Sequence, residues 1–459
     1  MIRRRAIGWL AVVTPAVAWT VAGCGESAPE AKHPVVAQAP APAAVASGDA
    51  GVQVGLASAP AAEVMPAEAT EAYAKGFQAW VAGDLAGARK AFSEAASKAS
   101  RSSAPRYSLG CVLERMGDSQ GALDAYLDAV RVSPAFDVAL CAYAILLART
   151  GHAQEAERAL DKSASAAGNS PRLLAVRAEI KSMAGDSADC QQLAQEALAK
   201  QPDSKEAMLV VARDFYRSHR WDLARYALQA ILDGTPDGAI PPRDPGNPEA
   251  LLLRALIERE TPGQRKQAIR DFDAAAARRP DLVEAHVNLG EMKLEAGNAG
   301  EALEPLEKAV KYAPNLAVAR LDLGDCYRLL GRAADAKREL DKSTSLDSTL
   351  AGVHYDFGLL YLFSQNVPGV ASADDQLTKA IGELETYRSM RTAKAPKGQG
   401  GGEDVDELLS TARRKQSELR MKSAPSTDNA SPDGSAAPSP SAGATETTPS
   451  GAGPQKEPK

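Results

Sequence analysis

Several kinds of residue are scarce in this sequence. Aromatics make up only 5% of 459 residues, there are five Cys and five His, and the formal net charge is −6. A mildly acidic, well-mixed chain gives no electrostatic case for nucleic acid or for anionic lipid headgroups. There is no HExxH, no phosphate-loop signature and no CxxC pair, which removes the usual sequence marks of a zincin, a nucleotide hydrolase and a dithiol centre. Gly398–Gly402 is glycine-rich but follows Pro396-Lys397 rather than a strand, so it does not read as a phosphate cradle. The His residues are scattered; His286 and His354 occupy equivalent places 68 residues apart and are expected to pack rather than to bind metal. The chain is expected not to be an enzyme and to need no cofactor and no metal.

What the chain has is repetition. Val283–Pro314, VEAHVNLGEMKLEAGNAGEALEPLEKAVKYAP, reads as two amphipathic helices joined at Gly297-Asn298. Leu289, Gly290, Ala302, Leu306 and Ala309 fall at helical spacing, and Pro314 ends the second helix. Small residues at Gly290 and Ala302 allow two backbones to approach, and Leu side chains fill the seam. One such hairpin cannot bury its apolar face alone, so it needs copies of itself.

The copies recur with a step of 34 residues: Gly290, Gly324 and Gly358; Gly76 and Gly110; and the run Ala88, Ala122, Ala156, Cys190 and Ala224. Gly83, Gly117, Gly151 and Gly185 mark turns, and Pro134, Pro202, Pro236, Pro280 and Pro314 mark unit ends. This order and period resemble the tetratricopeptide repeat (TPR). The resemblance implies an all-α, right-handed superhelical solenoid of about nine helix-turn-helix units over residues 69–390. The phase breaks at 237–247, where Pro and Gly cluster in a loop. A Gly-rich linker at 391–402 precedes a possible capping helix at 403–421, and the Ser/Pro/Ala-rich tail 422–459 is expected to be disordered.

The chain starts MIRRR, followed by an apolar run from Ala6 to Ala22 and then Val21-Ala22-Gly23-Cys24. This is the layout of a secretory signal, residues 1–23, ending in what resembles the lipobox of bacterial lipoproteins. A plain transmembrane anchor is the other reading, but the run is short, holds Pro15 and lacks a basic flank after it. The resemblance implies lipidation of Cys24 (diacylation, palmitate included) and, with Gly25 next, sorting to the outer membrane with the chain facing the periplasm. Loss of Arg3, Arg4 and Arg5 with the signal would take the net charge from −6 to −9. Residues 24–68 are Ala/Pro-rich and read as a linker whose end-to-end distance is roughly 35–40 Å.

In this family the inner face is lined by the first helix of each unit. The resemblance therefore assigns Tyr73, Phe77, Trp80 and Tyr107 to an aromatic end of a peptide-binding groove, with Cys111, Cys141 and Ile145 beyond. Arg213, Tyr216 and Arg217 join Arg172, Glu179, Arg259, Glu284, Glu291, Asp325 and Arg328 in a mixed-charge middle. Such a face suits an extended or helical protein segment. Cys111 and Cys141 lie on neighbouring first helices, and a disulfide between them is left open. By architecture the chain is similar to TPR lipoproteins of gliding-motility and pilus-assembly complexes. The expected role is a non-enzymatic scaffold or assembly factor for an envelope machine; carriage of glycan or lipid along the groove is the alternative.

Overall fold

A computed structural model describes residues 65–394 and 403–423, apart from 135, 168, 236, 237 and 240. Cys24, the signal, residues 24–64 of the linker and 424–459 of the tail lie outside these residues, whereas Ala67 and Glu68 begin the first helix and Lys422 and Ser423 end the last.

The chain is all-α. The first helices of nine successive pairs are α1 (Ala67–Val81), α3 (Ala104–Arg115), α5 (Asp137–Arg149), α7 (Pro171–Met183), α9 (Lys205–Arg217), α11 (Pro248–Glu260), α13 (Val283–Glu295), α15 (Ala317–Leu329) and α17 (Ala351–Phe363). Their partners are α2 (Leu85–Lys98), α4 (Ser119–Val132), α6 (Ala153–Ala167), α8 (Ser187–Lys200), α10 (Trp221–Leu232), α12 (Arg265–Arg278), α14 (Ala299–Tyr312), α16 (Ala333–Leu346) and α18 (Ala373–Lys394). A last helix, α19 (Glu403–Ser423), packs on α18.

Most pairs close through the same two devices, units six and nine lacking the first. At the turn, the residue after the glycine reaches back across the helix end: Asp118 N donates to Leu113 O at 2.9 Å, while Gly117 at φ +81° adopts the left-handed conformation that this cap requires. The cap recurs in unit after unit, and in unit five His219 is forced into it at φ 58°. Asp84, Asp118 and Asp186 then cap the following helices by accepting a backbone N–H three residues on.

At the seam, a glycine of the first helix faces a large side chain of the second. A Cβ on Gly76, Gly110, Gly290 or Gly324 would lie within 2.8 Å of Phe92, Tyr126, Leu306 or Leu340 respectively. Where the glycine is replaced, Ala144, Ala178, Ala212 and Ala255 are fully buried, and so is the whole run Ala88, Ala122, Ala156, Cys190 and Ala224. In unit nine Gly358 meets Leu384 instead, because the segment from Ser364 to Ser372 delays the second helix.

First helices of neighbouring units touch one another directly, α5 with α7, α7 with α9, α9 with α11, α13 with α15 and α15 with α17; among the described residues no two second helices meet to a comparable extent. The stack is therefore tighter on the side of the first helices, which makes that side the inner face of a curved solenoid. The curvature is sufficient to bring the two ends of a turn together. Tyr312 Oη donates to Val81 O at 3.0 Å, and Asn315 Nδ2 donates to Met116 O at 3.0 Å.

Helix α19 covers the open end. Val405, Leu409 and Ala412 are buried, the first two in one cluster with Tyr355, Leu359, Leu384 and Tyr387. Arg413–Glu385 and Arg420–Asp374 ion pairs, each 2.6 Å, lie at its rim. Among the described residues no helix is long and apolar enough to cross a membrane.

Candidate functional site

The inner face carries a ladder of ion pairs that joins one unit to the next. Arg213 donates to Glu179 at 3.1 Å in the unit before and to Glu249 at 2.7 Å in the unit after. Glu249 also accepts from Arg279 at 2.9 Å. Arg217 bonds Glu179 as well as Ser182, the latter at 2.8 Å. Arg172 pairs with Asp137 at 3.0 Å, Arg149 with Glu114, and Arg259 with Glu291 at 2.8 Å and Asn288 at 2.7 Å. Burial opposes the charge on Glu179 and Glu249, but Arg213 with Arg217, and Arg213 with Arg279, outweigh it and hold both carboxyls below the usual carboxylate range.

The cations of the predicted charged middle are thus already occupied by carboxylates of their own chain. Other carboxyls on this face lie away from these cations and are driven toward their neutral form. Asp322 is 9% exposed, its Oδ2 has no hydrogen-bond partner, and burial, with Glu291, Asp356 and Asp325 close by, pushes its carboxyl well above the ordinary value. Glu284 is pushed up to about 7 by burial, against the pull of Arg115, Arg279 and Arg149.

The predicted aromatic end is placed differently from an open patch. Tyr73 and Tyr107 are buried in the seams, 5.3 Å from Phe92 and 5.8 Å from Tyr126 by ring centroid, and Tyr107 meets Phe136 edge-on. Tyr73 Oη also lies 3.1 Å from Ser108 Oγ of the next unit. Trp80 is only 4% exposed and belongs to the same apolar cluster, and Tyr216 is buried. Phe77 is half-buried and borders that cluster. Helical rotation accounts for this, since positions 73 and 107 turn toward their own second helix rather than toward the lumen.

Cys111, Cys141, Cys190 and Cys326 are buried free thiols. Burial pushes Cys111 and Cys190 up to about 12, so both are neutral and poor nucleophiles. His286 packs with its Nε2 2.8 Å from Pro280 O and its ring stacked on Tyr312, while His354 Nδ1 lies 2.6 Å from Glu383. Among the described residues no three His, Cys, Asp or Glu converge to hold a metal ion.

One string escaped the sequence reading: Gly117-Asp118-Ser119-Gln120-Gly121 matches the GxSxG pattern of a nucleophile elbow. It is the turn between α3 and α4, with Asp118 occupied as the cap of α4 and a helix, not a strand, before it. The ladder partners Glu114, Arg149, Glu249 and Arg279 were also missed. Opposite charges one repeat apart, as at Glu179 and Arg213, were the signal that could have found them.

Models of the tetratricopeptide repeat match residues 73–135, 107–171, 182–239, 263–317 and 293–348, together more than half of the chain. The chain belongs to the tetratricopeptide-repeat family. A search of curated protein sequences finds no match to this TPR protein. Among solved structures it is similar to the APC/C hetero-tetramer Cut9-Hcn1, with a TM-score of 0.49, 15% identity, and coverage of 71% of this chain and 59% of that one. It spans, that is, under two thirds of that chain's length. A tetratricopeptide repeat protein from Parabacteroides merdae ATCC 43184 is also similar, with a TM-score of 0.26, 16% identity, and coverage of 67% and 97%. Neither likeness bears on what this TPR protein binds. Its repeats suggest a protein-interaction scaffold.

Proposed function

We propose that this chain is a non-enzymatic scaffold or assembly factor that holds protein segments against the inner face of its solenoid. The observation that carries the reading is the ladder centred on Arg213. A buried ion-pair ladder fixes the spacing of successive units, so the inner face is a preformed surface rather than one assembled on binding. Groove contacts are assigned to Phe77 and to the ladder around Arg213 and Arg217, with Tyr73, Trp80, Tyr107 and Tyr216 lying beneath it as its support.

The anchor belongs to the same proposal. Lipid on Cys24 tethers the chain to the periplasmic face of the outer membrane, where it serves an envelope machine of the gliding-motility or pilus-secretin kind. Support comes from the basic start, apolar run and Val21-Ala22-Gly23-Cys24 junction in the sequence. Cys24→Ala should block lipid attachment and signal processing; a variant that matures and stays in the membrane on its own rules the anchor out. Carriage of glycan or lipid draws no support from rings as buried as Tyr73, Trp80 and Tyr107.

The test is affinity purification from crosslinked membranes. A defined set of envelope proteins is expected. Recovery of glycan or lipid without proteins overturns the scaffold.

A further inference from the structure

The two ends of the solenoid turn meet through a small set of contacts between residues far apart in sequence. The turns that follow α1 and α3 abut the segments that precede α13 and α15. Tyr312 Oη and Asn315 Nδ2 donate to Val81 O and Met116 O, each at 3.0 Å. Both acceptors are carbonyls at helix C-termini, which have no partner within their own helix. Arg115 lies 3.6 Å from Asp281, with side chains 9% and 11% exposed. The methylenes of Lys311 lie over Gly83, where a Cβ would stand 2.6 Å from Lys311 Cε. Turn glycines Gly117, Gly151 and Gly185 share that backbone conformation and have nothing within 4 Å of a Cβ. The fit at Gly83 is therefore specific to the place where the turn closes.

Among the described residues no apolar cluster spans this contact. The described clusters on its two sides are separate, one ending at Ile180 and the others starting beyond Ala207 or at Val283. The core of each unit therefore survives when the contact breaks. Closure also brings the walls of the inner face together: Arg115 and Arg149 on one side are electrostatic neighbours of Glu284 on the other.

We propose that this contact is a latch, held by polar groups and one glycine-sized gap, that opens and closes the solenoid and so sets access to its inner face. The inference rests on the inner face as the working surface, but closure itself is a property of the isolated chain. Two hydrogen bonds, one part-buried and one exposed, and one ion pair shift an equilibrium by factors of ten to a thousand, not by the many orders of magnitude of global unfolding. That is the range in which a partner segment can bias opening.

The experiment uses the full chain with spin labels on cysteines placed at exposed Ala82 and Lys308. Electron–electron distance measurement should give a short, narrow distribution in the parent. Tyr312→Phe with Asn315→Ala should add a long-distance population and lower the closed-to-open ratio roughly tenfold or more, with helical signal unchanged. Tyr312→Phe alone keeps the ring on His286 and loses only the hydroxyl, so it serves if the double variant folds poorly. A cysteine at Phe77, read by the rate of modification with a polymer-linked maleimide, reports access; the rate should rise by a similar factor in the latch variants. Identical distributions in parent and variants overturn the latch, as does a parent that is already broad. Opening without faster modification overturns its control of access, whatever the partner proves to be.

Discussion

Gly290 and Leu306 share one seam, and a Cβ on Gly290 would lie 2.5 Å from Leu306 Cδ2. No real Cβ sits so close, so the leucine fills space that only glycine leaves. Gly290→Ala should cost about 1–3 kcal/mol by overpacking. Gly324→Ala, 2.8 Å from Leu340 Cδ2, and Ala302→Leu should behave alike. Gly297→Ala meets nothing within 4 Å but sits at φ +81°, so its cost is backbone strain of about 1–2 kcal/mol. Urea titrations compare them; neutral outcomes at both Gly290 and Gly324 contradict the seam.

The ladder predicts strong coupling along the inner face. Glu179 is 2% exposed and held by Arg213 and Arg217. Glu179→Ala leaves two guanidinium groups short of a partner and should cost about 3 kcal/mol or more. A double-mutant cycle of Glu179→Ala with Arg217→Ala should show coupling of about 1–3 kcal/mol. The exposed pair Glu71–Lys75, 2.7 Å apart, should couple far more weakly, because water screens it. Equal coupling in both pairs would show that the ladder is ordinary surface charge.

Stability should depend on pH in two directions. Glu258 and Glu284 are pushed up to about 7, in both cases chiefly by burial. Each binds its proton more tightly folded than unfolded, so its contribution is complete below the ordinary carboxylate value and is lost as pH rises through about 7. Glu179 and Glu249 are lowered, so theirs is present above the ordinary value and is lost as pH falls through their lowered ones. Tm should be highest in mildly acidic solution and decline toward pH 8. Glu284→Gln should flatten the upper decline, and a Tm that climbs from pH 6 to 8 would refute the assignment.

Trp80 reports on the aromatic end. With Trp9, Trp19 and Trp221 changed to Phe, its emission should be blue and shielded from quencher, since it is 4% exposed. Trp80→Ala should destabilise by about 3–5 kcal/mol. Red, quencher-accessible emission would mean that the ring faces an open groove.

How much of this was legible in the sequence follows from which distances are set locally. Gly290, Gly324, Ala88 and Ala122 could be read because a helix seam forbids large residues at fixed steps, whatever lies farther away. The aromatic end could have been read in the same way: Tyr73 and Tyr107 stand three residues before Gly76 and Gly110, and Trp80 four after Gly76, so helical spacing puts these rings on the seam face, which the groove assignment overlooked. Arg213 and Arg217 were placed on the inner face, yet their pairing with Glu179 and Glu249 needs the side-chain reach between units. The contact of Tyr312 with Val81 is farther still from local sequence. It depends on the rotation accumulated over six units, to which the loop at 237–247 adds its own step.

The central claim is that protein segments bind the inner face. Photo-crosslinking amino acids at half-buried Phe77 and Ile145 on first helices, and at Tyr226, 76% exposed on the second helix of unit five, test it most directly in intact cells. The account predicts discrete protein adducts from positions 77 and 145 and few from 226. Adducts confined to position 226 would place the working surface on the outside of the solenoid and contradict it.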